Sequence, residues 1–375
     1  MRAIGIVLAG GNAPRMKELT NKRAVAAMPI AGSYRAVDFA LSSLANSKVQ
    51  KVAVLTQYNS RSLNDHMSSS KWWDFGRKQG GLFVFTPTIT ADNGFWYRGT
   101  ADSIFQNIEF LRDSHEPYVV LTSGDIIYKL DFNKVLEQHI EKKADITVVC
   151  KRLGRCEDTS RYGIIGTNED GRIVSFDEKP NGCSEEDPLV SAGIYVFRRR
   201  QLIEMLERAD EEERYDLVRD IIIRFKDVKR VYAFEHNAYW RNIASVSDYY
   251  DVNMDFLKPE IRDYFFRQYP DIYTKVDDLP PAKYNAGASV KNSLVASGTI
   301  VNGRVENSII FKQVYIGNNC TIRNSIILNG VHIGDNTYLE NCIVESRDTI
   351  KPNSNYSGEP GKPRIVIEKS DRYML

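Results

Sequence analysis

Positive and negative charges cancel almost completely along the chain, with 50 Lys and Arg against 49 Asp and Glu for a formal net charge of +1. That balance excludes a general electrostatic pull toward nucleic acid or an acidic membrane and leaves only local basic patches such as Lys22 and Arg23. Cysteine is scarce and unpatterned. Cys150, Cys156, Cys183, Cys320 and Cys342 are odd in number and form neither a Cys-x-x-Cys nor a His-paired spacing. This argues against a disulfide framework and a zinc site, and it predicts reduced, mostly buried thiols. No apolar run approaches the length that spans a bilayer, and the N-terminal residues show no charged-then-apolar signal region. The chain is therefore expected in the cytoplasm, with neither nucleic acid nor membrane as a partner. Its 42% apolar and 26% charged residues are those of an ordinary globular protein of one or two domains.

Against that background the N-terminal stretch stands out. Ala3 to Ala9 is a short, β-rich apolar run that ends in Gly10-Gly11, which reads as a buried first strand feeding a phosphate-cradling loop. Glycine permits φ > 0 and a close backbone approach to a polyphosphate, so that several N–H groups face one anion, and Arg15 adds a fixed positive fork. A Gly-Gly pair also fits a plain strand, turn and helix without a ligand.

From the N-terminus to about Leu257, strand-like runs at 52–56, 118–122, 146–150 and 193–197 alternate with helical spacing over 101–111, 132–142 and 201–208. The alternation predicts an α/β layered sheet with ligands at the carboxyl ends of its strands. Residues 258–288, with Pro259, Pro270, Pro280 and Pro281, lose that pattern and read as a connecting segment. A repeat follows. Asn292, Asn307 and Asn324 each open an Asn-Ser-Leu/Ile motif, Asn341 opens Asn-Cys-Ile-Val, and Ile310, Ile316, Ile322 and Leu328 fall six residues apart. Six residues per face and about eighteen per coil describe a parallel β-helix, with an ordinary antiparallel β domain as the alternative. The expected layout is an α/β domain over 1–257, a linker over 258–288, and a β-helix over 289–375. Within its tail, Arg364 to Glu368 reads as an edge strand or a partner contact.

Leu8-Ala9-Gly10-Gly11, Arg15, Leu19-Thr20, Lys22-Arg23-Ala24, Pro29, Tyr34-Arg35 and Asp38-Phe39 together resemble the start of the sugar-nucleotide pyrophosphorylases, most closely the glucose-1-phosphate adenylyltransferases. Similar segments continue through Tyr97-Arg98-Gly99-Thr100-Ala101-Asp102, Gly124-Asp125, Glu178-Lys179-Pro180, Ser191-Ala192-Gly193-Ile194-Tyr195 and Tyr239-Trp240-Arg241-Asn242. The resemblance implies a Rossmann-like nucleotidyltransferase domain with a mixed, mostly parallel sheet, followed by a left-handed parallel β-helix. It implies in-line attack of glucose 1-phosphate on ATP, giving ADP-glucose and pyrophosphate. Gly10, Gly11, Gly99 and Thr100 would lie at the nucleotide, the latter two near a helix N-terminus whose free N–H groups favour acceptors. Tyr97, Glu178, Lys179 and Ser191 would lie at the sugar phosphate and Asp125 at Mg²⁺. Lys22 and Arg23 are candidate effector or phosphate contacts.

The same comparison marks departures. The family loop Gly-Gly-x-Gly-Thr-Arg-Leu carries Ala13, Pro14 and Met16 here; Pro14 has no N–H and restricts the residue before it. Arg-Ala-Lys-Pro-Ala becomes Arg23-Ala24-Val25-Ala26-Ala27, so a phosphate-facing ammonium becomes an isopropyl group. A second carboxylate becomes Asn242, which brings no charge; Mg²⁺ at the family site is then held more weakly, or not by this chain at all. Arg15, Asp125 and Lys179 remain as catalytic remnants, and the sugar-side segments survive apart from Ala192, where the family has Met. The pattern resembles the regulatory, GlgD-type subunits. Such a chain is expected to be a poor enzyme alone and to form a hetero-tetramer with the catalytic subunit in bacterial glycogen synthesis. Two alternatives stay open: a self-sufficient sugar-1-phosphate nucleotidyltransferase, and a sugar-phosphate or nucleotide sensor with no enzyme partner.

Overall fold

In the computed structural model of the chain, which describes residues 2–76, 80–88, 94, 96–154, 159–179 and 187–368, the apolar run Ala3–Ala9 is a central strand. It pairs in parallel with Lys51–Thr56 on one side and Tyr118–Ser123 on the other. Cys156, Cys183, Pro180 and the last seven positions lie outside the described residues. Across the sheet the order is Ile173–Glu178, Gly163–Thr167, Leu189–Arg198, Tyr118–Ser123, Ala3–Ala9, Lys51–Thr56 and Gly81–Phe85, with Ile146–Arg152 and Val231–Glu235 attached beside Leu189–Arg198. All but Leu189–Arg198 and Ile173–Glu178 run in the same direction, so the sheet is mixed and mostly parallel. Ile4, Ile6, Val119, Leu121, Ile146 and Val148 face one layer of core beneath it, as runs buried on both faces require. The helical stretch expected over 101–111 is broken into Thr100–Phe105 and Ile108–Arg112. Between them the Asn107 side-chain amide donates to the Ser103 carbonyl and to the Tyr97 hydroxyl, the local competition with the backbone that makes asparagine a poor helix residue.

The contacts divide the chain into two units: Met1–Gly11, Phe39–Ser60 and Ser68–Trp240 form one, and Asn12–Asp38, Arg61–Met67 and Arg241–Leu375 the other. This differs from a cut at 257. Residues 12–38 and 61–67 are early in sequence but pack in the second unit, and the stretch expected as a linker holds the helix Pro259–Phe266 and the strand Lys283–Tyr284. Proline at the first turn starts that helix without losing a needed donor, and Phe266 stacks on Tyr34 at 4.6 Å between centroids.

From Lys283 onward, short strands form three five-stranded parallel sheets, the parallel β-helix expected from the repeat and, as the resemblance implies, of the left-handed kind. Its aliphatic ladders run Val301, Ile316, Ile333, Ile350 and Ile310, Ile327, Val344, Val366. Up to the rung at Val366 the coils are shorter than eighteen residues. Equivalent asparagines are 15 residues apart for Asn292 and Asn307 and 17 apart for Asn319 and Asn336, so the partner of Ile310 is Ile327 and not Leu328. The repeated asparagines have a backbone cause: Asn292, Asn307, Asn324 and Asn341 all take φ between 43 and 51°, turning one corner of each coil. Asparagine tolerates that left-handed conformation better than other side-chain-bearing residues. Arg364–Val366 pairs with Cys342–Val344 as the last rung of its sheet, which makes this part of the tail an edge strand. Cys150, Cys320 and Cys342 are free and buried. Among the described residues no helix is long and apolar enough to cross a membrane.

Candidate functional site

In the first unit the sugar-side residues meet around an irregular strand. Leu189–Arg198 slips register between Ser191 and Ile194 against Ile146–Arg152, and Gly193 takes φ +73° there, where a side chain would be strained. The bulge leaves the Ser191 hydroxyl 3.1 Å from the Tyr195 hydroxyl, and the Trp240 indole N–H donates to the Ala192 carbonyl at 3.1 Å. Glu178 closes the strand Ile173–Glu178. Opposite it, a Cβ on Gly163 would stand 2.9 Å from Glu178 Oε2 and 2.3 Å from the Phe176 ring, so only glycine leaves the carboxylate its place. Lys179 has φ 51°, anchors its amide on the Tyr162 carbonyl at 3.1 Å, and holds its ammonium 3.3 Å from Glu178 while remaining 56% exposed. Burial pushes the Tyr195 phenol up, the Ser191 hydrogen bond opposes this, and the charge of Glu178 adds to it. A carboxylate, two hydroxyls and a largely exposed ammonium suit a ligand with hydroxyls and one anionic group.

The strand ends toward the expected nucleotide side are more constrained. Neither Gly10 nor Gly11 takes a positive φ, so neither needs glycine for its backbone conformation. Gly10 is tight because a Cβ would stand 3.1 Å from Gln57 Cβ, whereas Gly11 faces open space. The free N–H groups expected after Gly99 and Thr100 are already spent. Ala101 and Asp102 both donate to the Tyr215 carbonyl, at 2.8 and 3.4 Å, and Thr100 Oγ1 accepts from the Leu217 amide at 2.9 Å. The Tyr97 hydroxyl accepts from Asn107 at 2.9 Å, and burial raises its pKa.

Asp125 follows the strand Tyr118–Ser123 at the end occupied by Leu8, whose carbonyl accepts from the Gly124 amide at 2.9 Å. Ser123 Oγ donates to Asp125 Oδ1 at 2.5 Å. Burial raises the Asp125 carboxyl, with the Ser123 hydrogen bond opposing it; a hard cation would relieve that penalty. Among the described residues no three His, Cys, Asp or Glu side chains converge into a metal cage. Asp125 therefore fits Mg²⁺ only in the manner that ion prefers, on a single carboxylate completed by phosphate oxygens and water.

In the second unit, Ala13 takes φ −117°, ψ 83°, outside the α region as the following proline requires, and Arg15 is exposed in the turn Pro14–Thr20. Val25 is only 5% exposed. Asn242 Oδ1 is buried without a hydrogen-bond partner among the described residues. Lys22 and Arg23 line a cavity of about 930 Å³ with Arg35, Arg61 and Arg347. Arg23 is ion-paired with Glu345 and donates to Ser346 Oγ at 3.2 Å. Burial holds the Arg35 guanidinium below its ordinary value, Asp38 opposing and the charge of Arg23 adding to the effect. The sequence pattern pointed to Lys22 and Arg23 but not to Arg61 or Arg347. Arg347 could have been found as a left-handed corner, φ 61°, equivalent to Gly330 one coil earlier and Gln313 two coils earlier; Arg61 carries no local signal.

A mostly parallel sheet with its carboxylate and glycine loop at one strand edge, followed by a hexapeptide-type β-helix, defines a nucleotidyltransferase. Residues 4–259 match the Nucleotidyl transferase family and residues 280–359 the GlmU-like, C-terminal hexapeptide family. The chain is 37% identical to glucose-1-phosphate adenylyltransferase of Pseudothermotoga lettingae, over 86% of this chain and 76% of that protein. It is 38% identical to that of Thermosipho melanesiensis, over 85% and 77%, and 37% identical to that of Bacillus subtilis, over 86% and 84%. The chain belongs to the glucose-1-phosphate adenylyltransferase family.

Proposed function

We propose that this chain is a regulatory, largely non-catalytic subunit that assembles with a catalytic glucose-1-phosphate adenylyltransferase in the bacterial cytoplasm and raises or tunes its activity. One observation carries this reading: the losses are selective. Glu178, Lys179, Ser191 and Tyr195 stand as an interacting group, whereas the triphosphate-side motif carries Ala13, Pro14, Val25 and Asn242.

Phosphoryl and nucleotidyl transfer depend on positioning and charge neutralisation more than on proton transfer. Glu178 accepts from sugar hydroxyls, Lys179 pairs with the sugar phosphate, and Ser191, held by Tyr195, adds a further hydroxyl. Mg²⁺, when bound at Asp125, would neutralise triphosphate charge. Val25 cannot supply a phosphate-facing ammonium, Pro14 has no N–H to donate, and Asn242 brings no negative charge to a cation. Removing one such group typically costs about 10²–10³ in rate, and the losses are not additive.

The test is an assay of ADP-glucose formation by this chain alone, by the catalytic homologue alone, and by the two co-purified. Silence alone with stimulation on mixing is the expected result; full activity alone would overturn the proposal. Glucose 1-phosphate binding by the isolated chain, read by calorimetry, should weaken about tenfold in Glu178→Gln, the loss of one charge-assisted hydrogen bond, while ATP with Mg²⁺ binds poorly to both forms. The cavity lined by Lys22, Arg35, Arg61 and Arg347 is its effector pocket. Lys22, Arg61 and Arg347 make no ion pair with a carboxylate within 4 Å among the described residues, so an anionic ligand would supply missing counter-charge.

A further inference from the structure

The effector cavity contains acid as well as base. Asp65, Asp348 and Glu368 line it beside the five cations, and Glu345 lies against Arg23. These carboxylates differ in how the chain satisfies them. Glu345 is 4% exposed and neutralised by Arg23. The Glu368 carboxylate accepts from the Tyr356 hydroxyl. Asp348, 7% exposed, accepts the Glu368 amide at 2.9 Å and has no cation within 4 Å among the described residues. Its neighbours are mostly of its own sign. Burial, then the charges of Glu345 and Glu368, push its carboxyl up to about 6, with the Glu368 amide and Lys22 opposing.

We propose that Asp348 is a proton-operated gate on this pocket: as a carboxylate it repels an incoming sulfate- or phosphate-like anion, and as a neutral acid it admits one. The inference rests on the reading of the cavity as an anion pocket. Proton and anion then bind cooperatively, each raising the affinity for the other by the same factor. Arg35, Arg61 and Arg347 supply the attraction at every pH, because arginine keeps its proton. Asp65 and Glu368 are the other carboxylates of the lining, and Glu345 contributes least to the switching because Arg23 already compensates it.

Sulfate is the probe, since its charge does not change across the range used. Calorimetric titration of the full chain at pH 5.5 and 7.5 should show sulfate bound about tenfold more tightly at the lower pH, the effect of one neighbouring charge on an equilibrium. Asp348→Asn keeps an acceptor for the Glu368 amide; it should bind at pH 7.5 as the unaltered chain does at 5.5, with no remaining pH dependence. Asp348→Ser should behave alike, and serves if the amide variant does not fold. A variant that keeps the original pH ratio overturns the gate. The pocket reading is tested separately. If Lys22→Ala with Arg61→Ala leaves sulfate binding at pH 5.5 unchanged, or the unaltered chain binds no sulfate at either pH, the cavity is not an anion pocket. If the double variant weakens binding and Asp348→Asn keeps its pH ratio, the gate alone fails.

Discussion

Reinstating the triphosphate-side groups together, as Ala13→Gly, Pro14→Thr, Val25→Lys and Asn242→Asp, is expected to raise ADP-glucose formation by the isolated chain by at least about 10²-fold. Pro14→Thr returns a backbone donor, Val25→Lys an ammonium and Asn242→Asp a carboxylate to chemistry that depends on placed charge, and Ala13→Gly returns the loop its conformational freedom. Single changes should recover little, because groups that act as a unit give their effect only when all are present. The structure adds a condition. Val25 is 5% exposed, so a lysine there must run its stem through packed surroundings to bring the ammonium to water or phosphate. Asn242 Oδ1 is buried without a hydrogen-bond partner among the described residues, so a carboxylate there costs stability until a cation accompanies it. The four-fold variant should therefore melt lower than the unaltered chain in a chelator and recover with Mg²⁺. A folded variant that stays silent would mean that other differences disable the chain, and the selective-loss argument would fail.

Gly99→Ala is expected to destabilise the protein by about 3 kcal/mol, read as a shift of the urea midpoint at constant m. The cause is contact and not backbone conformation, for Gly99 has φ −174°, which any residue adopts. A Cβ there would sit 2.3 Å from the Tyr215 carbonyl oxygen, the same oxygen that accepts from Ala101 and Asp102. Relief requires moving Tyr215, whose ring lies under the Arg98 guanidinium at 3.9 Å, and Arg98 is in turn paired with Asp102 at 2.7 Å. Overpacking alone costs about 1–3 kcal/mol, and loosening the two amide bonds adds to it. A shift below about 1 kcal/mol would show that Tyr215 yields easily and that this glycine is kept for another reason. The comparison also bears on function, because it separates a glycine needed for packing from one needed for a nucleotide.

Much of the architecture is legible in local pattern. Ala3–Ala9 reads as a buried strand because it is a short apolar β-rich run, here ended by two glycines, and the strands at 51–56, 118–123 and 146–152 are short apolar β-rich runs too. The β-helix shows as repeated asparagines and aliphatics, since each coil reuses one set of corner and ladder positions. Its period is less visible. A ladder of Ile310, Ile316 and Ile322 continues equally well to Leu328 by counting, and only the pairing of Ile310 with Ile327 reveals the shorter coil. The sugar-side residues are legible as motifs, but the bulge at Ser191 that sets their directions is not, because a register slip depends on the neighbouring strand.

The amino-acid sequence by itself determined the class of fold, the repeat and the charge balance, because each is a property of residue type and local spacing; which triphosphate-side groups are missing is implied only by its resemblance to the glucose-1-phosphate adenylyltransferases. The tertiary structure decided the rest. It joined residues 12–38 and 61–67 to the C-terminal unit and spent the amides after Gly99 on Tyr215. It also gathered Lys22, Arg61, Arg347 and Asp348 from separate stretches around one cavity. The reason is physical. A hydrogen bond, a buried charge or a cavity depends on which distant segments the packing brings within a few ångströms, and local spacing carries no record of that distance.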